Sequence, residues 1–346
     1  MAFEPEHLNE IDMRFRAVYA ALASERGSAD DDQWLRFAAF AVILTPGSPA
    51  SIAQAIRARS VALRSQAPWY DALSSPMRFM VAAVLLQSHG RVATFTDTLE
   101  RTKAAFDHIG LRHRAGYDVV SAAIIHLMNH GRPLGALQLE HVKNLYDRMK
   151  TLHWWLTGPE DTPVAVLLSF RLERTEVTVT QAESIYRSLI DQDYRPGNAL
   201  KTAAHILVFD NASNQAAERF DALCGACIAS GLPMATAHYE ALAVLTLLNH
   251  PAQAIARRVR SYLESLKDLR PALDGPGTVA LACDLTFFHL VRLGRDDLPL
   301  SDLDEVGQML RSLRLVQSMS LITAMDCATA PLDAAQAVEL WPYSGS

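Results

Sequence analysis

The sequence predicts an all-α protein built from repeated helical hairpins, and three observations predict it. First, a short Ala-centred apolar run returns about every forty residues, a period that belongs to stacked supersecondary units. It reads Phe37-Ala38-Ala39-Phe40, Val81-Ala82-Ala83-Val84, Ser121-Ala122-Ala123-Ile124 and Pro163-Val164-Ala165-Val166. It continues as Thr202-Ala203-Ala204-His205, Ala241-Leu242-Ala243-Val244 and Ala280-Leu281-Ala282-Cys283. Second, the helices implied by these runs alternate with amphipathic ones. Third, no stretch reads as a strand: the β-branched run Thr175 to Thr180 is short, and Thr178 or Thr180 is expected to cap the helix after it.

The helices that carry the phrase are apolar nearly all round, as in Met80 to Leu86, Val119 to Met128 and Leu242 to Leu248. A helix apolar on every side is buried on every side, and small alanines let its neighbours approach. Each is followed by a turn that carries Gly or Pro (His89-Gly90, His130-Gly131, His250-Pro251, Gly294), because glycine tolerates the left-handed conformation and proline cannot continue a helix. The second helices space their apolar residues three and four apart. Thr98 to Ile109 aligns Leu99, Phe106 and Ile109, and Leu139 to Leu152 aligns Val142, Leu145, Tyr146 and Met149. Ala182 to Ile190 uses Ile185, Tyr186 and Leu189, and Val259 to Leu269 uses Tyr262, Leu263 and Leu266. Phe106, Tyr146, Tyr186, Phe220 and Tyr262 are expected to fill one slot in successive units. From about Leu298 the phrase is lost, although Leu310 to Met319 and Leu321 to Ala328 read as helical and Trp341 to Ser346 as a tail.

The expected organisation is a single helical-repeat domain over 1–346, with about seven hairpins and an atypical C-terminal cap over 298–346. Two arrangements fit, an open α-solenoid and a closed α/α toroid. Strong burial of the first helices favours the ring.

Composition bounds the function. Half of the 346 residues are hydrophobic and 20% are charged, ordinary for a soluble domain. A net charge of -6 without a basic block argues against nucleic acid as a partner. Met1 to Glu10 does not read as a signal peptide, and no apolar run is long enough to span a membrane. Four cysteines make no disulfide framework, so a reduced, cytoplasmic setting is expected.

Several residues are candidates for chemistry. His126 and His130, four apart on one helix, have zinc-like spacing, but Leu127 stands where a metalloprotease would carry glutamate. His130 also shares its helix-exit position with His89 and His250, where imidazole suits the carbonyl end of a helix. Cys224-Gly225-Ala226-Cys227 is a C-x-x-C outside the βαβ context of redox motifs, and reads as two packed thiols. Asp210, Asn214 and Glu218, four apart, resemble the Mg²⁺-binding triad of class I terpene synthases. The facing aspartate-rich motif is missing, since Asp30-Asp31-Asp32 lacks its spacing and reads as a first helical turn. Gln87, His126, Ser169, Arg171, His205, Asp284 and His289 interrupt the apolar helices. Asp284, His289 and His205 are the catalytic candidates if such groups converge on a cavity, and core polar groups otherwise. Trp69-Tyr70 and His153-Trp154-Trp155 occupy matching loops and are expected to staple one hairpin to the next, or else to line a binding face. No cofactor is expected, with zinc and magnesium as the alternatives. No Walker loop, nucleophile elbow or dinucleotide signature is present.

The stretch from about Met77 to Asp210 resembles an uncharacterised bacterial family, domain-of-unknown-function 4003. The residues that carry the resemblance are Arg78-Phe79-Met80-Val81-Ala82-Ala83 and, more specifically, the segment from Leu156-Thr157-Gly158-Pro159 to Val166-Leu167-Leu168. The resemblance implies an all-helical bacterial protein and transfers no catalytic residue. The expected function is a protein-interaction scaffold. The alternative is an enzyme or small-molecule binder with its site inside a toroid. The partner is accordingly another protein or a small molecule, and the oligomeric state is left open.

Overall fold

The structure, a computed structural model, describes residues 5–27, 30–68, 71–111, 114–171, 173–210, 213–232, 234–271, 275–296, 314–315 and 317–326. Among them the regular structure is entirely helical. The chain divides into two compact units, Met1–Leu172 with Leu303–Met325, and Glu173–Asp302 with Asp326–Ser346.

The first unit contains α1 (Pro5–Ala23), α2 (Asp32–Ala41), α3 (Pro49–Gln66), α4 (Arg78–Gln87), α5 (Val92–His108), α6 (Ala115–Met128), α7 (Ala136–Leu152) and α8 (Thr162–Leu168), with helical residues 317–325. Their starts follow local chemistry. Asp31 caps α2 by accepting from the Gln33 amide, and Ser48 caps α3 by accepting from the Ser51 amide, with Pro49 in the first turn. Asp30 does not act as a simple first-turn acid. Its buried carboxylate pairs with Arg78 at 3.0 Å and Arg57 at 3.5 Å, and both guanidinium groups lie over the Phe79 ring.

Burial divides the helices as their sequences predict. Every residue from Trp34 to Ala41 in α2, from Arg78 to Leu85 in α4 and from Thr162 to Leu168 in α8 is buried. By contrast, α5 buries one stripe (Phe95, Thr98, Leu99, Thr102, Phe106), as does α7 (Val142, Leu145, Tyr146, Met149). The buried helices stack on one another, α2 on α4, α4 on α6 and α6 on α8, while α1 packs on α3 and α3 on α5. The pairing phase differs from the sequence expectation. Each amphipathic helix lies beside the buried helix that follows it (α3 with α4, α5 with α6, α7 with α8), whereas α4 and α5 scarcely touch. The short His-Gly turn carries the chain across without laying those two helices together.

The second unit contains α9 (Thr175–Asp191), α10 (Asn198–Leu207), α11 (Ala216–Ala229), α12 (Tyr239–Thr246), α13 (Ala252–Leu266) and α14 (Gly275–Asp296). The same pattern recurs: α10 packs on α12 and α12 on α14, α9 on α11 and α11 on α13. Phe106, Tyr146, Tyr186, Phe220 and Tyr262, expected to occupy equivalent positions, are all buried. One boundary is corrected. Helix α9 starts at Thr175, so Thr178 and Thr180 lie inside it and cap nothing; Thr178 is buried against the core. Burial of one helical face outweighs the weak preference of β-branched residues for strands. Trp69, Tyr70, Leu310 and the tail Trp341 to Ser346 lie outside the described residues.

Candidate functional site

The exits of α4 and α6 build the site. Both helices end in a His-Gly pair, but the histidine takes the left-handed conformation at each. His89 and His130 both have φ of +54°, a region in which histidine is enriched several-fold. The Gly90 amide closes the first turn on the Leu85 carbonyl at 2.7 Å, and the Gly131 amide closes the second on the His126 carbonyl at 2.9 Å. The Asn129 side chain donates to the Arg132 and Pro133 carbonyls and fixes the second turn.

His126 sits between these turns and is buried. A Cβ on Gly90 would stand 2.5 Å from His126 Nε2, and one on Gly131 would stand 3.4 Å from Nδ1. Gly90 is therefore required for close approach rather than for backbone freedom. His126 Nε2 lies 3.0 Å from Ser88 Oγ. Ser88 Oγ also lies 2.8 Å from the Val84 carbonyl, so one hydroxyl serves both the helix end and the ring. Nδ1 is buried without a hydrogen-bond partner. The edge of the ring meets Phe95, centroids 6.1 Å apart.

A cleft of about 460 Å³ opens over these turns, lined mainly by Gln87, His89, Arg91, His126, His130 and Arg314. Arg314 Nη1 lies 3.1 Å from His130 Nε2, and because guanidinium can only donate, that nitrogen accepts. Gln317 donates to Gln87 Oε1, which leaves the Gln87 amide hydrogens as donors. Among the described residues no carboxylate lines the cleft.

Burial holds the His126 imidazole below its usual value of 6.5. Its neighbours in the cleft, His89, His130, Arg91 and Arg314, offer it no negative charge. The unfolded imidazole takes a proton near its ordinary value while the folded one resists. This contribution to stability is thus complete above about pH 6.5 and is lost as pH falls towards the folded value. His250, also lowered by burial, acts in the same direction. Thermal melts from about pH 8 to about pH 5 should show a falling midpoint, with a shallower fall in His126→Gln; an unchanged slope in that variant would remove His126 from the account.

A family model described as a protein of unknown function, DUF4003, matches residues 18–287. The chain belongs to the DUF4003 family. No curated protein and no solved structure matches it. The family region covers α4 to α6 and thus every cleft residue except Arg314 and Gln317, which lie C-terminal to it.

Within this DUF4003 chain the other candidate residues are placed as follows. His126 and His130 share the cleft, but the His130 ring faces Arg314, and among the described residues no group of three or more His, Cys, Asp or Glu could hold a metal ion. Asp210, at the end of α10, binds Arg219 through both carboxylate oxygens at 2.7 Å; Asn214 lies in a 3-10 turn and Glu218 in the first turn of α11. His205 is buried on α10, and Asp284 and His289 are buried on α14. His289 Nδ1 lies 3.2 Å from the Tyr262 hydroxyl, a core pairing. Gln87 and His126 line one cleft, whereas Ser169 and Arg171 are not part of its wall. Cys224 and Cys227 are free and buried on α11. Burial pushes both thiols up, Cys227 to about 12, so neither is a thiolate nucleophile at neutral pH.

Two features escaped sequence reasoning. Arg91 and Arg314 are ordinary surface arginines in the sequence, and nothing local marks them as neighbours of one cleft. Trp154 and Trp155 do not staple hairpins. They are 71% and 63% exposed and meet each other edge to face, while His153 beside them is buried.

Proposed function

We propose that this protein is a helical-repeat binding protein, its hairpins stacked as a solenoid or closed as a toroid, and that the cleft at the α4 and α6 exits is where it binds a small molecule. The observation that carries this reading is the buried His126 pinned between Gly90 and Gly131 beneath an open cleft of ligand size. Close packing of a polar ring under an open surface supports a recognition role more than a purely structural one, because an apolar side chain would fill the same space without an unpartnered nitrogen. The free, buried thiols support a reducing, cytoplasmic setting.

A second reading is a protein-interaction scaffold, favoured by the exposed Trp154-Trp155 pair, since tryptophan is enriched at binding hot spots. One comparison tests both. A fragment screen read by thermal shift should find ligands that stabilise the wild type by about 2.7 kcal/mol at a hundredfold excess over Kd. Thr94→Trp, which fills the rim of the cleft from an exposed position, should lose them. Ligands indifferent to Thr94→Trp would sink the cleft reading. A stoichiometric protein partner lost in a Trp154→Ser, Trp155→Ser double variant would favour the scaffold.

A further inference from the structure

We propose that the cleft of the first unit is a carboxylate site, and that its ligand is a small organic acid. This rests on the cleft being the binding site. Two guanidinium groups, Arg91 and Arg314, line the cleft and, among the described residues, no acid does, in a chain whose net charge is -6. A local cationic surface on an acidic protein selects an anion. Among the described residues the wall holds no lysine, and its cations are the planar, forked ones that match a carboxylate in a bidentate pair.

The helix ends temper this charge. The carboxyl ends of α4 and α6 both abut the cleft with roughly half a negative charge each, and the amino end of α5, at Arg91 and Thr94, sets roughly half a positive charge beside them. Among the described groups the two guanidinium groups prevail, and the field stays positive.

The neutral groups complete the match. Arg314 spends Nη1 on His130 Nε2, which orients the guanidinium and leaves its remaining N–H groups for a ligand. Gln87 accepts from Gln317, which turns its amide N–H groups out as donors. These contacts fix donors in place before binding, which lowers the cost of ordering them. The volume, about 460 Å³, admits an acid with an apolar body against Leu127.

The experiment is calorimetric titration of the full chain with benzoate and hexanoate, beside benzamide, hexanamide and phenyl phosphate. The carboxylates should bind and the amides should not. Arg314→Met and Arg91→Met should each weaken carboxylate binding about tenfold or more, while Arg101→Met, on the exposed face of α5, should leave it unchanged. Amides or phenyl phosphate binding as well as the acids, with that binding lost in Thr94→Trp, would overturn the carboxylate assignment and leave the cleft standing. Carboxylate binding indifferent to both arginine variants, or no binding by either acid, would also overturn it; the cleft itself is judged by the wider fragment screen.

Discussion

Replacing Arg219 by Met should cost the second unit about 3 kcal/mol of stability, because the substitution removes the guanidinium that neutralises a buried carboxylate. Asp210 has a side chain only 3% exposed, and both its oxygens are held by Arg219. The same guanidinium donates through Nη2 to the Thr246 carbonyl at 2.7 Å and the Leu248 carbonyl at 2.9 Å, at the carboxyl end of α12 and in the turn after it. Met keeps most of the volume and none of the donors. Asp210 then loses the cation that neutralises it, and two carbonyls lose the Arg219 donor. Arg219→Lys should fall between, since a single ammonium cannot span four acceptors. Urea denaturation is the measurement. A loss below about 1 kcal/mol would mean that the exposed third of the Arg219 side chain lets water replace it.

Gly90→Ala should destabilise the first unit by about 1–3 kcal/mol and abolish binding in the cleft. The new Cβ would stand 2.5 Å from His126 Nε2, 2.8 Å from its Cε1 and 2.8 Å from Leu85 Cδ2. Neither neighbour can yield freely: the imidazole is wedged against Gly131 and tied to Ser88, and Leu85 is fully buried. A rotated ring would break the Ser88 bond and tilt the wall of the cleft. The decisive comparison is a double-mutant cycle. Combined with His126→Ala, Gly90→Ala should cost much less than alone, because the obstacle has gone. Strict additivity of the two substitutions would show that Gly90 matters for some reason other than the ring beneath it.

Both expectations concern residues whose roles the sequence conceals. Arg219 lies nine residues from Asp210, and its carbonyl partners lie at 246 and 248, a convergence that only the packing of α11 against α12 creates. The four-residue spacing of Asp210, Asn214 and Glu218 suggests a cation site, but spacing on one strand of sequence says nothing about a guanidinium arriving from the next turn. His126 and Gly90 are visible as a polar interruption and a helix exit; their contact is not. The exposed tryptophans mislead for a related reason, since a matching loop position implies a matching role only if the neighbouring hairpin is there to receive the ring.

The sequence by itself determined that the chain is helical, which helices are buried all round and which bury one stripe, and that the aromatics of the second helices are buried. These properties follow from periodicity along one helix, and periodicity is local. It also carried the family resemblance, which the match over residues 18–287 extends well past the stretch first recognised. Only the tertiary structure decided which helix lies beside which, that His89 and His130 themselves turn left-handed, and that Arg91 and Arg314 flank one cleft from positions more than two hundred residues apart. Those outcomes depend on contacts between distant segments, where the competition is between whole packed arrangements and no single residue records the result.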